Sequence, residues 1–110
     1  MGEKGEKMMS ESSKSAEDLQ KRLSNLGDIR VRKMFGGHGI FVEDKMFALI
    51  DSKGRVFFKV NDTNLSRFEN AGSEKHVRMP YYSVPKEVLR DDDLLQEWAR
   101  TSIKIAKGVK

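Results

Sequence analysis

Apolar positions along this chain follow two different periods. Leu19, Leu23 and Leu26 recur at three- and four-residue spacing, with Ser15 placed to cap and Asp18 at the capping-box position, so the spacing predicts a short amphipathic helix that Gly27 stops. Ile29, Val31, Lys33 and Phe35 then alternate with Arg30, Arg32 and Met34, the period of a strand with one largely apolar face and one face carrying two arginines. Residues 40–43 and 46–51 flank Asp44-Lys45 at the spacing of a two-residue hairpin, and a Ser52-Lys53-Gly54 turn leads into a fourth run at 55–60. Together these runs predict an antiparallel meander of about four strands.

Between the first two strands lies Gly36-Gly37-His38-Gly39, three glycines around a histidine. Glycine accepts positive φ and lets other backbone come close, so this arc predicts a turn with unusual dihedrals, in which His38 hydrogen-bonds the backbone. After the meander, Asp62 or Thr63 can cap a second helix with Leu65, Phe68 and Ala71 as its inner positions, closed by Gly72. Residues 76–79 and 82–84 are candidate short strands around Pro80, which favours an edge or a bulge. Pro85 can open a helical turn over 86–89, and a last helix runs from Asp91-Asp92-Asp93 to about Lys107 with acid first and base last. Tyr81, Tyr82 and Trp98 read as aromatic packing at the end of a core. The fold class expected is α+β in two layers, one domain over residues 15–110, with residues 1–14 as a disordered leader too polar to bury anything.

The runs Met-Phe-Ala-Leu-Ile and Val-Phe-Phe-Lys-Val are apolar on both faces, which suggests inner strands covered on both sides. If Phe41, Phe47 and Phe57 share the face away from the helices, they form an apolar patch for a partner or a second copy, in which case a two-fold dimer results. Coverage by a terminal helix is the alternative. Charge sharpens this picture: of a net +4 over 110 residues, the excess falls in residues 29–61, with Arg30, Arg32 and Lys33 as its leading edge. A basic sheet face can attract phosphate, yet no run of Lys/Arg with interleaved aromatics accompanies it.

Catalytic patterns are missing from the sequence. His38 and His76 have no partner at helical metal-site spacing, no serine sits in a nucleophile elbow, and the aspartate triplet lacks the spacing of a calcium loop. The glycine arc is not followed by the Lys-Ser/Thr of a phosphate cradle. A non-enzymatic protein without metal or cofactor is therefore expected. The chain has no cysteine and no apolar run near the roughly 20 residues that span a bilayer, so a cytoplasmic location without membrane contact is expected.

Three stretches in order carry a family resemblance: Arg32-Lys-Met-Phe-Gly-Gly-His-Gly-Ile-Phe41, Lys45-Met-Phe-Ala-Leu-Ile50 with Phe58-Lys-Val60, and Met79-Pro-Tyr-Tyr-Ser-Val-Pro85 with Val88-Leu89. Over residues 19–106 the chain resembles the N-terminal domain of the TfoX/Sxy family of bacterial competence regulators. The motif positions are Met34, Phe35, Gly36, Gly37, His38, Gly39, Met79, Pro80, Tyr81, Tyr82 and Pro85. The resemblance implies a secretion-chaperone-like fold, an antiparallel sheet with helices mainly on one face. It also implies a role in switching on DNA-uptake genes through contact with transcription machinery or a cyclic-AMP receptor protein complex. The expected function is a regulatory or adaptor domain acting by protein–protein contact, with Arg30, Arg32, Lys33, Phe41, Phe47 and Phe57 as contact residues. The alternative is a nucleic-acid-binding domain using Arg30, Arg32 and Lys33.

Overall fold

A computed structural model describes residues 10–34 and 36–108. Within them the elements run α1 (Glu11–Arg22), a 3-10 turn (Ser24–Leu26), β1 (Ile29–Met34), β2 (Gly37–Val42), β3 (Lys45–Ile50) and β4 (Val56–Lys59). Then follow α2 (Leu65–Asn70), β5 (Tyr81–Ser83), α3 (Lys86–Leu89) and α4 (Asp92–Lys107). The strands form one sheet in the order β1-β2-β3-β4-β5, each neighbour antiparallel, as the meander pattern predicts. α1 packs on β1 and β2, and α4 on β3 and β4, so the long helices cover one face of the sheet.

Helix α1 begins at Glu11, capped by Ser10, whose side chain accepts from the backbone N–H of Ser13; the expected cap at Ser15 is an interior position. Residues 1–9, most of the expected leader, lie outside the described residues. The inner stripe of α1 is Ser12, Ala16 and Leu19, continued by the C-cap Leu23, all buried, so the first turn reaches the core through a serine. Small serines at helical spacing look like solvated leader in a sequence. Here Ser12 lies 2.7 Å from His38 Nδ1, and the Ser15 hydroxyl donates to the Gly54 carbonyl at 2.8 Å, tying the helix to the sheet.

Strand β2 is longer than expected, because Gly37 and Gly39 belong to it rather than to a turn. Gly36 alone takes the left-handed conformation, at φ +78°. Gly37 is required by close approach: a Cβ there would lie 1.9 Å from the Ile50 carbonyl oxygen. The β2–β3 hairpin turns on Glu43-Asp44, both at positive φ (50° and 66°), one residue earlier than the expected Asp44-Lys45. The register between β2 and β3 shifts at Ile40/Phe41, so Ile40 faces Ala48 while Phe41 faces Met46, and Phe47 is the extra residue of a bulge. Phe47 and Ala48 consequently both enter the helix-side core.

That core joins Leu19 and Leu23 of α1, Ile40, Ile50 and Phe58 of the sheet, Phe68 of α2, and Leu95 and Ala99 of α4. Phe68 packs against Trp98 at 4.7 Å between ring centroids and against Tyr82 at 6.2 Å, the aromatic closure expected of those two residues. α2 ends with paired bonds from Gly72 N–H to the Glu69 carbonyl and from Ser73 N–H to the Phe68 carbonyl, so Gly72 closes it as predicted. Its start differs. Neither Asp62 nor Thr63 caps it; Asn64 precedes the helix, buried, accepting from Asn61 N–H and donating to the Lys59 carbonyl. Ala71, expected inward, is exposed. Residues 76–79 are not a strand, but residues 74–76 run beside β5 through a Lys75–Tyr82 bridge. The Asp91 carboxylate caps α4 by accepting from the N–H groups of Asp93 and Leu94.

Candidate functional site

Strand parity decides what each face of the sheet carries. Residues directly opposite in an antiparallel pair share a face. On the face away from α1 and α4 this places Arg30, Arg32 and Met34 of β1, Gly39 and Phe41 of β2, Met46 and Leu49 of β3, Phe57 of β4, and Tyr81 and Ser83 of β5. Leu49, Phe57 and Tyr81 form a small second core there, with Met46 and Met79 packed against it.

Most of that second core is sealed by the chain itself. Phe57 is only 2% exposed. Arg55 lies over its ring at 5.2 Å, and the His76 ring stands perpendicular to it with centroids 5.2 Å apart. The Tyr81 hydroxyl donates to the Met46 carbonyl at 3.1 Å, and burial pushes its pKa up to about 12. The expected patch of three phenylalanines therefore does not exist as a surface: Phe47 is in the helix-side core, Phe57 is covered, and Phe41 alone is half-exposed. The cause is the bulge, which turns Phe47 to the opposite face from Phe41 and Phe57.

Toward β1 the same face is more open. Gly39 has no side chain, and the Met34 and Met46 sulfurs and the edge of the Phe41 ring converge above it; a Cβ would lie 2.5, 2.7 and 2.9 Å from them. Arg32 stacks over Phe41, its guanidinium carbon 4.8 Å from the ring centroid. Beside this cluster is a hollow of about 480 Å³, walled by Met34, Leu49 and residues 76–79. Val77, 89% exposed, stands at its rim next to Arg78. Thioethers are flexible and polarisable, so a methionine-lined hollow adapts to differently shaped apolar groups.

The basic residues are divided. Arg30 and Arg32 lie on this face; Lys33 faces the helix side, opposite His38. Arg30 holds Asp28 at 2.8 Å, and that hydrogen bond keeps the Asp28 carboxyl below its usual range. Arg32 is 3.6 Å from Asp44. His38 is buried on the helix side with the Ser12 hydroxyl, rather than bonded to backbone in a turn. Burial lowers its pKa, and the Lys33 ammonium lowers it further. Tyr81 lies on the face opposite His38, while Tyr82 packs in the helix-side core against Phe68. Among the described residues no group of three or more His, Cys, Asp or Glu could hold a metal ion.

Of the expected contact residues, the structure groups Arg30, Arg32 and Phe41, and separates Lys33, Phe47 and Phe57 from them. Sequence reading missed Met46, Val77 and Arg78 as neighbours of this group. Strand parity across Gly39 is the signal that places Met46 opposite Phe41, but only once the bulge is known. The motif residues Met34, Gly39 and Met79 meet or border the open face, Gly36 supplies the left-handed turn residue, Gly37 packs against the Ile50 carbonyl, and Pro80 with Pro85 brackets β5. Phe35 lies outside the described residues.

No helix among the described residues is long and apolar enough to cross a membrane. Residues 21–106 match the family described as the TfoX N-terminal domain. A stretch of 66 residues is 41% identical to the DNA transformation protein TfoX1 of Aliivibrio fischeri; the match covers 54% of this chain and 31% of that protein, so the chain corresponds to about a third of that relative's length. With the family match spanning most of its length, the chain belongs to the TfoX N-terminal domain family.

Proposed function

We propose that this domain is a non-enzymatic regulatory or adaptor module of the cytoplasm, acting by protein–protein contact in the control of DNA uptake. The name of the Aliivibrio fischeri relative supports the biological setting. One observation carries the contact reading: on the helix-free face, Met34, Phe41 and Met46 meet over Gly39 beside a hollow, rimmed by Arg32, exposed Val77 and Arg78. An apolar centre within a polar, arginine-bearing rim is the anatomy of a protein interface. Partners in this reading are transcription proteins, a cyclic-AMP receptor protein complex among them.

Affinity capture from native cell extract tests it. The wild-type domain is expected to retain a partner that the double variant Phe41→Ser, Val77→Asp releases, with the melting curve of the variant close to wild type. Both side chains reach the surface, so the fold should tolerate the change. An unchanged set of captured proteins contradicts the reading. The nucleic-acid alternative has less support, because Lys33 lies on the opposite face from Arg30 and Arg32, so the three cations do not form one basic surface. It requires a gel shift whose salt dependence flattens in Arg30→Ala, Arg32→Ala.

A further inference from the structure

The two edges of the sheet are treated differently by the chain. β5 is covered: residues 74–76 run along it, with His76 N–H donating to the Tyr81 carbonyl at 2.8 Å and Ser83 N–H to the Glu74 carbonyl at 2.9 Å. β1 is the other edge. The two-residue loops on either side of β2 make Met34–Gly37 and Val42–Lys45 hydrogen-bonded pairs, and alternation then directs the N–H and C=O of Ile29, Val31 and Lys33 outward. The Ile29 carbonyl is taken by the Gln20 side-chain amide at 2.7 Å, in agreement with that direction. Among the described residues, no hydrogen bond reaches the outward groups of Val31 or Lys33.

We infer that β1 is a strand-addition site for an extended partner segment with acidic, apolar and acidic residues in alternation. The inference rests on the protein-contact reading above and names the chemistry of the partner. Arg30 and Arg32 project on one face with Val31 between them on the other, so an added strand placing carboxylates opposite the arginines puts its intervening apolar residue beside Val31. Lys33 then offers a further cation on the helix side. A second copy of the chain does not fit. Two-fold pairing through the outward groups of Val31 and Lys33, centred on Val31, Arg32 or Lys33, sets arginine against arginine or lysine against lysine, which is unfavourable for directly opposed residues, and centring on Ile29 meets a carbonyl already taken by Gln20.

The test is amide hydrogen exchange on the whole chain with a synthetic octapeptide of alternating glutamate and valine, and with its lysine–valine counterpart as the control. The expected result is slowed exchange at Val31 and Lys33 with the glutamate peptide alone, weakening with salt. Affinity for the lysine peptide should be lower by on the order of tenfold. Lys33→Pro, which removes an outward N–H without touching the β1–β2 bonds, is expected to abolish binding, and Lys33→Gln to retain it. Should Lys33→Pro unfold, wild-type exchange decides alone. Equal protection by both peptides, protection by neither, shifts confined to the Met34–Met79 hollow, or protection of these amides by a short single-stranded oligonucleotide would overturn the inference. Loss of capture in Phe41→Ser, Val77→Asp without peptide protection at β1 refutes edge addition and leaves the contact reading standing; retained capture in that variant refutes the contact reading.

Discussion

Two glycines of β2 have different physical reasons for being glycine, and the difference is measurable. At Gly37 the obstacle to a side chain is backbone, the Ile50 carbonyl, which moves only with β3 itself. At Gly39 the obstacles are thioethers and a ring edge, which can rotate. Gly37→Ala is expected to lower stability by at least about 3 kcal/mol, and Gly39→Ala by about 1 to 2 kcal/mol as overpacking, read from urea unfolding. Equal effects would mean the two sites are constrained alike. His38 makes a second residue-level prediction. Its pKa is lowered on folding, so its contribution is fully present above the ordinary value of 6.5 and is lost as pH falls through the folded-state value. Stability should therefore decline from pH 7.5 to 5, and His38→Gln should flatten that decline. No change in slope would place the titration elsewhere.

The β2–β3 hairpin shows what a turn demands of its residues. Glu43 and Asp44 both occupy the left-handed region, where Asn-Gly is the favoured pair. Replacing them with Asn-Gly is expected to raise stability by roughly 0.5 to 1 kcal/mol, seen as a higher urea midpoint. The Glu43–Lys107 and Arg32–Asp44 surface ion pairs that are lost contribute little. Elements with a clear period were legible in the sequence: the alternation of β1, the leucine stripe of α1, the Pro85 turn and the aspartate-capped α4. Two features were not. The first turn of α1 reaches the core through Ser12, a polar residue whose burial depends on a histidine 26 positions away. The bulge at Phe47 follows from pairing with β2, and no local pattern marks it. That single inserted residue reassigned Phe47 from the proposed contact face to the core, so one of the three phenylalanines of the expected apolar patch was beyond reach of periodicity.

Across the whole molecule the layering is asymmetric. α1 and α4 cover one side of the sheet; on the other, His76, Met79 and Arg55 close only the end near β4 and β5, leaving the Met34–Phe41–Met46 cluster and its hollow toward β1. Family membership was legible because the motif residues lie where the structure needs them: close-packed glycines in β2, a turn at Gly36, and prolines bracketing β5. The proposed contact surface was less so, since it is assembled from β1, β2, β3 and the 76–79 segment, which come together only through sheet order. The most direct measurement is deuterium exchange of the domain alone against the domain in complex with its captured partner. Protection is expected across residues 30–34, 39–41, 46 and 76–79, with the outer surfaces of α1 and α4 unchanged. Protection confined to those helices, with the sheet face exchanging as before, would contradict the assignment of this face to partner contact.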